Sequence, residues 1–432
     1  MKQFIEDVLN SKKGSRFRQN FIKVAKANIF AQILPILAAP LLTRLYSPGD
    51  FGALTLLTTF TGFLLIFSTG RVEWSIPNTK SHQETVSLLI IGFVILVLSS
   101  GLFILTLARI NHPLIAEKYA NLLSYWPFVI ISLLGEGLLQ ITTGVHIKTA
   151  DMTSVSRSSI FQVTLSTGFK VAAGVFSLGV LGLVLGHVLK VWVGAIILVK
   201  SIRIKTSTFT ELKLQTILYT YKNFMRECSF SVFVGAVNYG FLTLLPLSLM
   251  SIYSLKELGY YTIVSRIAIA PMMLISKPLS QSFWAEASKL VKENPVHLRS
   301  MYKKTLLRLA FVSIIPLLIC LSGPLYIGII FGQEKWFKAG AILAAITPQV
   351  IGSFIFGSTN HLIVYRKQHY QLLSDSLTIF LAFIWLRLAS INEIGFTMTV
   401  TSISLIVLLG YFFRFLLHLK ANTEYSREYG HI

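Results

Sequence analysis

"RLYSPGDFGALTL", residues 44–56, and "SIYSLKELGYYTI", residues 251–263, share one short pattern. In each stretch a Tyr-Ser pair is followed, after two positions, by an acidic residue, an apolar residue and a glycine. Tyr46 of the first copy corresponds to Tyr253 of the second, an offset of 207 residues in a chain of 432. A phrase repeated at about half the chain length predicts an internal duplication.

Each copy of the phrase also predicts the start of a helix. A serine followed three residues later by an acid forms a capping box, in which the two side chains satisfy free backbone N–H groups. Pro48 suits the first helical position, where its missing N–H costs nothing. A glycine in the first turn permits close helix packing. The helix-start residues are Ser47, Asp50 and Gly52 in the first copy and Ser254, Glu257 and Gly259 in the second. Either box alone indicates no more than a well-capped helix.

The composition indicates a membrane protein. Hydrophobic residues make up 53% of the chain and charged residues only 13%, against about 25% charged residues in soluble domains. A spanning helix needs about 20 apolar residues. We therefore expect an all-α polytopic membrane protein of about twelve transmembrane helices, in two six-helix lobes around a central cavity. The predicted spans are 22–43, 52–69, 85–106, 122–143, 159–178, 180–199, 228–250, 259–281, 305–331, 339–358, 371–389 and 395–417.

The basic residues are distributed by side of the membrane. Of the 39 Lys and Arg residues, 24 lie in the N-terminal arm, the even-numbered loops and the tail, and six lie in the odd-numbered loops. By the positive-inside rule, both termini and the even loops are cytoplasmic. The net charge of +21 therefore reflects topology and attraction to membrane lipids, and we expect no nucleic-acid partner.

The chain divides at its longest loop, which lies near the middle. Because each half has an even number of spans, the two lobes keep the same orientation and are related by an axis along the membrane normal. This architecture suits alternating access. We expect a cytoplasmic N-terminal arm, an N-terminal lobe, a cytoplasmic linker, a C-terminal lobe and a cytoplasmic tail, at 1–21, 22–199, 200–227, 228–417 and 418–432.

Motifs for enzyme catalysis are missing from the sequence. It contains no Walker A loop, no His-Glu-x-x-His and no Gly-x-Ser-x-Gly. We interpret Cys228 and Cys320 as small core residues, and His187, alone in span six, as a buried core histidine. We therefore expect no catalytic residues, no metal and no cofactor, and a transporter rather than an enzyme.

Cations within the predicted spans form the strongest candidate site. A charge inside the bilayer costs about 2.5–3.5 kcal/mol on insertion scales, so it should face a partner or a wet cavity. Glu136 is the main acid at this depth, and it cannot pair with all of them. The candidate cations are Lys170, Lys190, Arg266 and Lys277. The surplus indicates an anionic substrate. As alternatives, Lys277 and Arg387 reach the headgroups, and Glu136 neutralises one lysine.

Proline and polar residues mark the same region of the spans. Proline interrupts spans one, seven and eight, and broken helices are tolerated at membrane depth where they line a cavity. Three polar side chains in these spans, Gln32, Asn238 and Gln281, are candidates for hydrogen bonds to sugar hydroxyls. Contacts between helices are an equally good interpretation of them.

Two longer stretches resemble a known family. "LLTRLYSPGDFGALTLLTTFTGFLLIFSTGRVEWSIPNTKSHQET", residues 41–85, and "LGYYTIVSRIAIAPMMLISKPLSQSFWAEASKL", residues 258–290, are similar to segments of Wzx-type oligosaccharide flippases. These belong to the multidrug/oligosaccharidyl-lipid/polysaccharide exporter superfamily. The first stretch ends in the family's Gly-Arg-x-Glu-x-x-Ile pattern, which begins at Gly70, and the second carries Arg266 and Gln281.

The resemblance implies a translocase for an undecaprenyl-pyrophosphate-linked oligosaccharide in the bacterial cytoplasmic membrane. Its product would be a surface polysaccharide such as O-antigen, capsule or exopolysaccharide, and its partners a polysaccharide polymerase and chain-length proteins. Arg71 and Glu73 would form a gate or a first phosphate contact, the alternative being a loop ion pair. A coupling ion, H⁺ or Na⁺, is a further alternative, and Glu136 is then the expected proton carrier.

Three other functions stay open at this point. Another exporter of the superfamily, carrying cationic drugs, would need acids where this chain has cations. A membrane-embedded polymerase or glycosyltransferase would need a sizeable loop or a paired-acid motif on the odd-loop side. A non-transporting scaffold of a polysaccharide assembly complex would differ only in transport.

Overall fold

The structure is a computed structural model, and it describes residues 14–109, 125–202, 213–293, 295–359, 362–365 and 367–429. Within these ranges the chain is helical, with no strand. The first half contains helices α1 to α7 and a 3-10 turn at Ile76–Asn78. In order the helices are Gly14–Leu45, Pro48–Ser68, Val72–Ser75, His82–Arg109, Trp126–Lys148, Met152–Val175 and Val180–Ser201.

The second half contains helices α8 to α15. A π-helical segment, Ser353–Gly357, and a 3-10 turn, Leu362–Tyr365, lie between α13 and α14. In order the helices are Leu214–Ile252, Leu255–Glu293, Pro295–Val312, Ile314–Leu321, Gly323–Phe331, Gln333–Gly352, Gln368–Ile391 and Phe396–Tyr429.

Ten membrane-spanning candidates are found among the described residues, each long and apolar enough to cross a bilayer. This confirms the prediction of an all-α polytopic membrane protein. The predicted spans 159–178 and 228–250 lie largely within α6 and α8, which are helices but are not among the ten. Polar residues such as Lys170 lower the hydropathy of α6.

Span nine differs from its prediction. The segment 305–331 was expected to be one helix, but the chain breaks at Ser313 and again at Ser322 to form α10, α11 and α12. Pro316 supplies the reason for the first break, because it has no N–H to donate to the carbonyl of Val312. The apolar stretch long enough to span is His297–Leu321, and α12 packs along α13 instead.

The chain forms two compact units. One comprises Met1–Tyr46 and Ala53–Leu247, and the other comprises Ser47–Gly52 and Ser248–Ile432. In the first unit α6 packs against both α1 and α7, and in the second α13 packs against α12 and α15. The segment Ser47–Gly52, which is the central part of the first repeated phrase, therefore belongs to the same unit as the second phrase.

One interhelical joint occurs in both units. In the first unit the Ser158 hydroxyl donates to the carbonyl of Gly194 at 3.1 Å, and in the second the Ser374 hydroxyl donates to the carbonyl of Gly410, also at 3.1 Å. Both pairs are separated by 36 residues and join the last two long helices of their half. A repeated joint at equal spacing supports the predicted internal duplication.

Both predicted capping boxes are present. The Ser47 N–H donates to Asp50 Oδ2 at 2.8 Å, and the Asp50 N–H donates back to Ser47 Oγ at 3.3 Å. The Ser254 N–H donates to Glu257 Oε2 at 3.2 Å, and the reverse bond to Ser254 Oγ is 3.3 Å. The helices α2 and α9 therefore start at the repeated phrase, as predicted.

Candidate functional site

A polar cluster lies inside the first unit, where α5, α6 and α7 pack together. Glu136 Oε1 lies 3.3 Å from His187 Nε2. Lys170 and Lys190 are both within electrostatic range of the His187 ring. The structure thus brings together three predicted site residues, through a histidine that we had assigned to the core. His187 is indeed buried, but it has a carboxylate partner that sequence reasoning missed.

Close helix packing positions Lys170. Its aliphatic stem lies directly over Gly186, where a Cβ atom would overlap the lysine Cγ. The Tyr46 hydroxyl donates to the Lys170 carbonyl at 2.6 Å, and the Ser166 hydroxyl donates to the Gly186 carbonyl at 2.7 Å. A lysine held in this way occupies a fixed place on α6, which a binding residue requires.

This cluster contains more basic than acidic groups. Two ammonium groups and one imidazole lie near a single carboxylate, on three helices that pack together. A group of this composition at membrane depth can attract an anion.

A second group lies between α2 and α4, at the Gly-Arg pattern. Gly70 and Arg71 are both left-handed, with φ of 58° and 57°, so the chain reverses sharply there. The turn places Arg71 Nη1 3.9 Å from Glu73 Oε1. The guanidinium also lies against Gly235 of α8, where a Cβ would overlap it. Arg71 is therefore fixed by both a carboxylate and a gap in the side chains of a neighbouring helix.

The Glu73 carboxyl lies outside the candidate membrane spans and is buried. Burial raises its pKa, while the positive charge of Arg71 opposes the rise. Glu73 therefore keeps its proton to a higher pH than an exposed glutamate.

Lys148, at the end of α5, organises the segment that follows this group. Its ammonium donates to the hydroxyls of Thr79 and Thr85 and, at 3.2 Å, to the Ser81 carbonyl. Sequence reasoning missed this lysine, because the residues that it contacts are far away in the chain. Its contacts fix the 3-10 turn and the start of α4.

Arg266 lies in the second unit, on the candidate span Leu255–Ser276 of α9. Its side chain is exposed. Among the described residues it forms no ion pair and no hydrogen bond. Within the described ranges, this predicted cation therefore has no internal counterion.

Of the remaining predicted site residues, only Gln32 has a side chain that the structure describes. The side chains of Lys277, Asn238 and Gln281 lie outside the described part of the structure. Gln32 is half-buried in α1, and its Oε1 has no hydrogen-bond donor among the described residues. A contact between Gln32 and a sugar hydroxyl stays a prediction.

Sequence reasoning missed an ion pair in the second unit. Arg414 of α15 pairs with Asp375 of α14. Beside it, the Tyr302 and His418 rings stack at 3.9 Å, and Asn422 Nδ2 donates to Tyr365 Oη at 3.2 Å. Asp375 is thus a second acid within the predicted spans, in addition to Glu136. Arg414 inside the predicted span twelve, with His418 directly after that span, was the available signal. Because Arg414 is paired, it adds nothing to the surplus of positive charge.

Within the described ranges, no cluster of three or more His, Cys, Asp or Glu side chains has the geometry to hold a metal ion. The two cysteines are free and buried, and Cys228 Sγ lies 3.5 Å from Ser75 Oγ.

Comparisons with known proteins identify the family of this chain. A family model described as "polysaccharide biosynthesis protein" matches residues 41–340, which is more than half of the chain. No curated protein sequence matches the chain.

Solved structures share the architecture at low sequence identity. An inward-facing multidrug resistance MATE family transporter of the MOP superfamily has a TM-score of 0.62 and 12% identity, covering 93% of this chain and 99% of that one. The lipid II flippase MurJ, in an inward closed conformation, has a TM-score of 0.61 and 15% identity, covering 94% and 90%. A Vibrio cholerae MATE transporter has a TM-score of 0.53 and 12% identity, covering 96% and 97%. These likenesses show a common fold.

Proposed function

This chain belongs to the polysaccharide biosynthesis protein family, and we propose that it is a flippase for a lipid-linked oligosaccharide. The substrate that we propose is an undecaprenyl-pyrophosphate-linked repeat unit. The protein moves it by alternating access from the inner to the outer leaflet of the bacterial cytoplasmic membrane. In this role it is a transporter and not an enzyme.

The observation that carries the proposal is Arg266, a cation on the candidate span Leu255–Ser276 that has no counterion among the described residues. Lys170 and Lys190 are two further basic groups, both near the Glu136–His187 pair. A pyrophosphate supplies the missing negative charge, since charge-assisted hydrogen bonds to its oxygens compensate for the desolvation of the cations. A transporter for cationic drugs would carry the opposite surplus.

The membrane potential favours the proposed direction. When the inside of the membrane is negative, moving one negative charge outward is favourable by about 2.3 kcal/mol per 100 mV. A pyrophosphate carries more than one such charge, so no nucleotide-binding site is needed. The Glu136–His187 pair is the place where a proton would couple to transport, if a coupling ion takes part.

The orientation and partners also belong to the proposal. Both termini and the even loops face the cytoplasm, in accord with the positive-inside rule, and Arg71 lies at the cytoplasmic entrance as the first phosphate contact. A polymerase and chain-length proteins receive the translocated repeat unit.

The test uses a strain that lacks this protein and keeps the rest of its pathway. We expect the completed lipid-linked repeat unit to accumulate on the cytoplasmic leaflet and surface polysaccharide to be lost. The wild-type gene should restore both. An Arg266→Ala protein, present in the membrane at normal amount, should restore neither.

Arg387→Gln is the matched control for Arg266→Ala. Arg387 is also an exposed arginine on a membrane helix, but it lies near the end of span eleven, and its loss should leave transport unchanged. Full transport by the Arg266→Ala protein would remove the basis of the proposed site. Shortened glycans without accumulation of the repeat unit would assign the chain to the assembly enzymes instead.

A further inference from the structure

The two copies of the repeated phrase border an open cavity of about 390 Å³ in the second unit. The first copy supplies Ser47, Pro48 and Gly49 to its lining, the second supplies Lys256, and α13 supplies Lys335. The volume is within the range of small-molecule sites. Two lysines are its only charged lining residues among those described.

Among the described residues, no acid neutralises the positive charge of this cavity. Lys256 and Lys335 form no ion pair with any described residue. Asp50 and Glu257 accept hydrogen bonds from the backbone of their own capping boxes, and the side chain of Glu334 lies outside the described part of the structure. Both lysine side chains are exposed and therefore available to a ligand.

The distribution of charge makes the lysine pair unusual. The odd-numbered loops hold only six of the 39 basic residues, as expected for the side opposite the cytoplasm. Two of these six, from different loops, nevertheless line one cavity. Since basic residues are rare on this face, random placement is a poor account of the pair.

The backbone beneath the lysines is rigid. Trp336, which is fully buried, contacts Phe51 and Tyr260 edge-on, with ring centroids 5.6 Å and 5.7 Å away. The Tyr260 hydroxyl donates to the Lys335 carbonyl at 2.9 Å. This aromatic group fixes the start of α13 against both repeated phrases, so the spacing of the two lysines is set by the fold.

We propose that this cavity is an anion site that binds a phosphate-bearing group through Lys256 and Lys335. The chemistry fits a pyrophosphate or a lipid phosphate, since an ammonium group binds phosphate oxygens as a point charge. If the proposed function is correct, the site receives the lipid phosphate on the release side. The binding itself does not depend on that function.

The test measures binding to the purified full-length protein. Inorganic pyrophosphate is titrated by calorimetry into wild-type protein and into the Lys256→Gln/Lys335→Gln variant. We expect the variant to lose one equivalent of binding, or to bind pyrophosphate with a dissociation constant at least about tenfold higher. Lys303→Gln/Lys304→Gln, which removes two exposed lysines of α10, is the matched control and should bind as wild type does.

A second variant fills the cavity without changing its charge. A Cβ at Gly49 would meet only Ser47 Oγ, at 3.7 Å, so the backbone tolerates a side chain there. Gly49→Leu should weaken pyrophosphate binding with both lysines present. Unchanged binding in both Gly49→Leu and the double lysine variant would overturn the site.

Two further measurements identify the source of the phosphate and separate this site from transport. Nanodiscs of phosphatidylglycerol should raise the melting temperature above that in phosphatidylcholine, in a lysine-dependent way, if a lipid headgroup is bound. A response to pyrophosphate alone assigns a soluble or substrate phosphate, and no lysine-dependent response to either anion rejects the proposal. Arg266→Ala should lose transport and keep this binding, so the two proposals fail independently.

Discussion

Gly52 and Gly259 pack against each other's helix starts in a reciprocal way. A Cβ on Gly52 would overlap the Leu255 carbonyl oxygen, and a Cβ on Gly259 would overlap the Pro48 carbonyl oxygen. Leu255 and Pro48 occupy the same place in the two phrases. The repeated phrase is therefore explained by its own packing, because each copy forms the surface that the other contacts.

Adding one methyl group at this contact should destabilise the protein strongly. The obstructing atoms are backbone carbonyls, which cannot move aside as a side chain can, so we expect Gly52→Ala and Gly259→Ala each to cost about 1–3 kcal/mol or more. The measurement is the melting temperature in detergent, together with the amount of protein in the membrane. Gly62→Ala, on the same helix as Gly52, has nothing within 4 Å of the new Cβ and should be neutral. Equal stability of all three variants would contradict the packing described here.

Displacing Lys170 without removing its charge tests the polar cluster of the first unit. In Gly186→Ala the new Cβ overlaps the flexible stem of Lys170, so the protein should fold but hold the ammonium elsewhere. We expect surface polysaccharide to fall by about tenfold, the order of effect that a misplaced binding group produces. Gly168→Ala on α6 has open space around it and is the control. Normal polysaccharide from a well-expressed Gly186→Ala protein would mean that the position of Lys170 is irrelevant.

Arg71 can be tested in the same manner. Gly235→Ala places a Cβ against the guanidinium and should reduce transport less than Arg71→Gln does. Because both changes act on one contact, the double variant should be no worse than Arg71→Gln alone. Gly101→Ala, a glycine with open surroundings, should have no effect. Additive losses in the double variant would show that Gly235 acts separately from Arg71.

The buried Glu73 predicts a pH dependence of stability. Its raised folded-state pKa means that the native protein binds the proton more tightly than the unfolded chain does. As pH rises above the ordinary value of 4.5, the unfolded carboxyl ionises first, and the native state loses stability until its own pKa is passed. Below pH 4.5 this loss of stability is absent, because the carboxyl is protonated in both the native and the unfolded state.

Replacing Glu73 by Gln removes this loss. The melting temperature of Glu73→Gln minus that of wild type should grow between pH 4 and pH 7. Glu84→Gln is a useful comparison, since Glu84 also lies near this segment but accepts hydrogen bonds from the backbone of Lys80 and Ser81. A difference for Glu73→Gln that stays flat with pH would show that the carboxyl ionises normally.

Local sequence signals predicted the helix starts and the membrane spans well. The capping boxes depend on residues three apart, and a span depends on about 20 neighbours, so both are readable along the chain. The same reasoning failed in span nine, where Pro316 lies within an apolar run that is long enough to span but does not remain one helix.

The site was predictable in its residue types but not in its pairings. Lys170, Lys190 and Glu136 stood out because charges are rare in apolar helices. His187 and the Arg414–Asp375 pair were not recognised, since a partnership across helices leaves no local pattern. The exposed state of Arg266 could likewise be determined only from the folded chain.

The shared Ser–Gly joint also shows how the two halves of a duplicated scaffold differ. His187 lies about two turns before Gly194, whereas Arg414 lies about one turn after Gly410, or about 10 Å and 6 Å along their helices at 1.5 Å per residue. Each repeat has therefore placed its polar group on the opposite side of an inherited joint. The joint has thus been kept as scaffold in both halves, while the charged and polar groups beside it have become specific to each half.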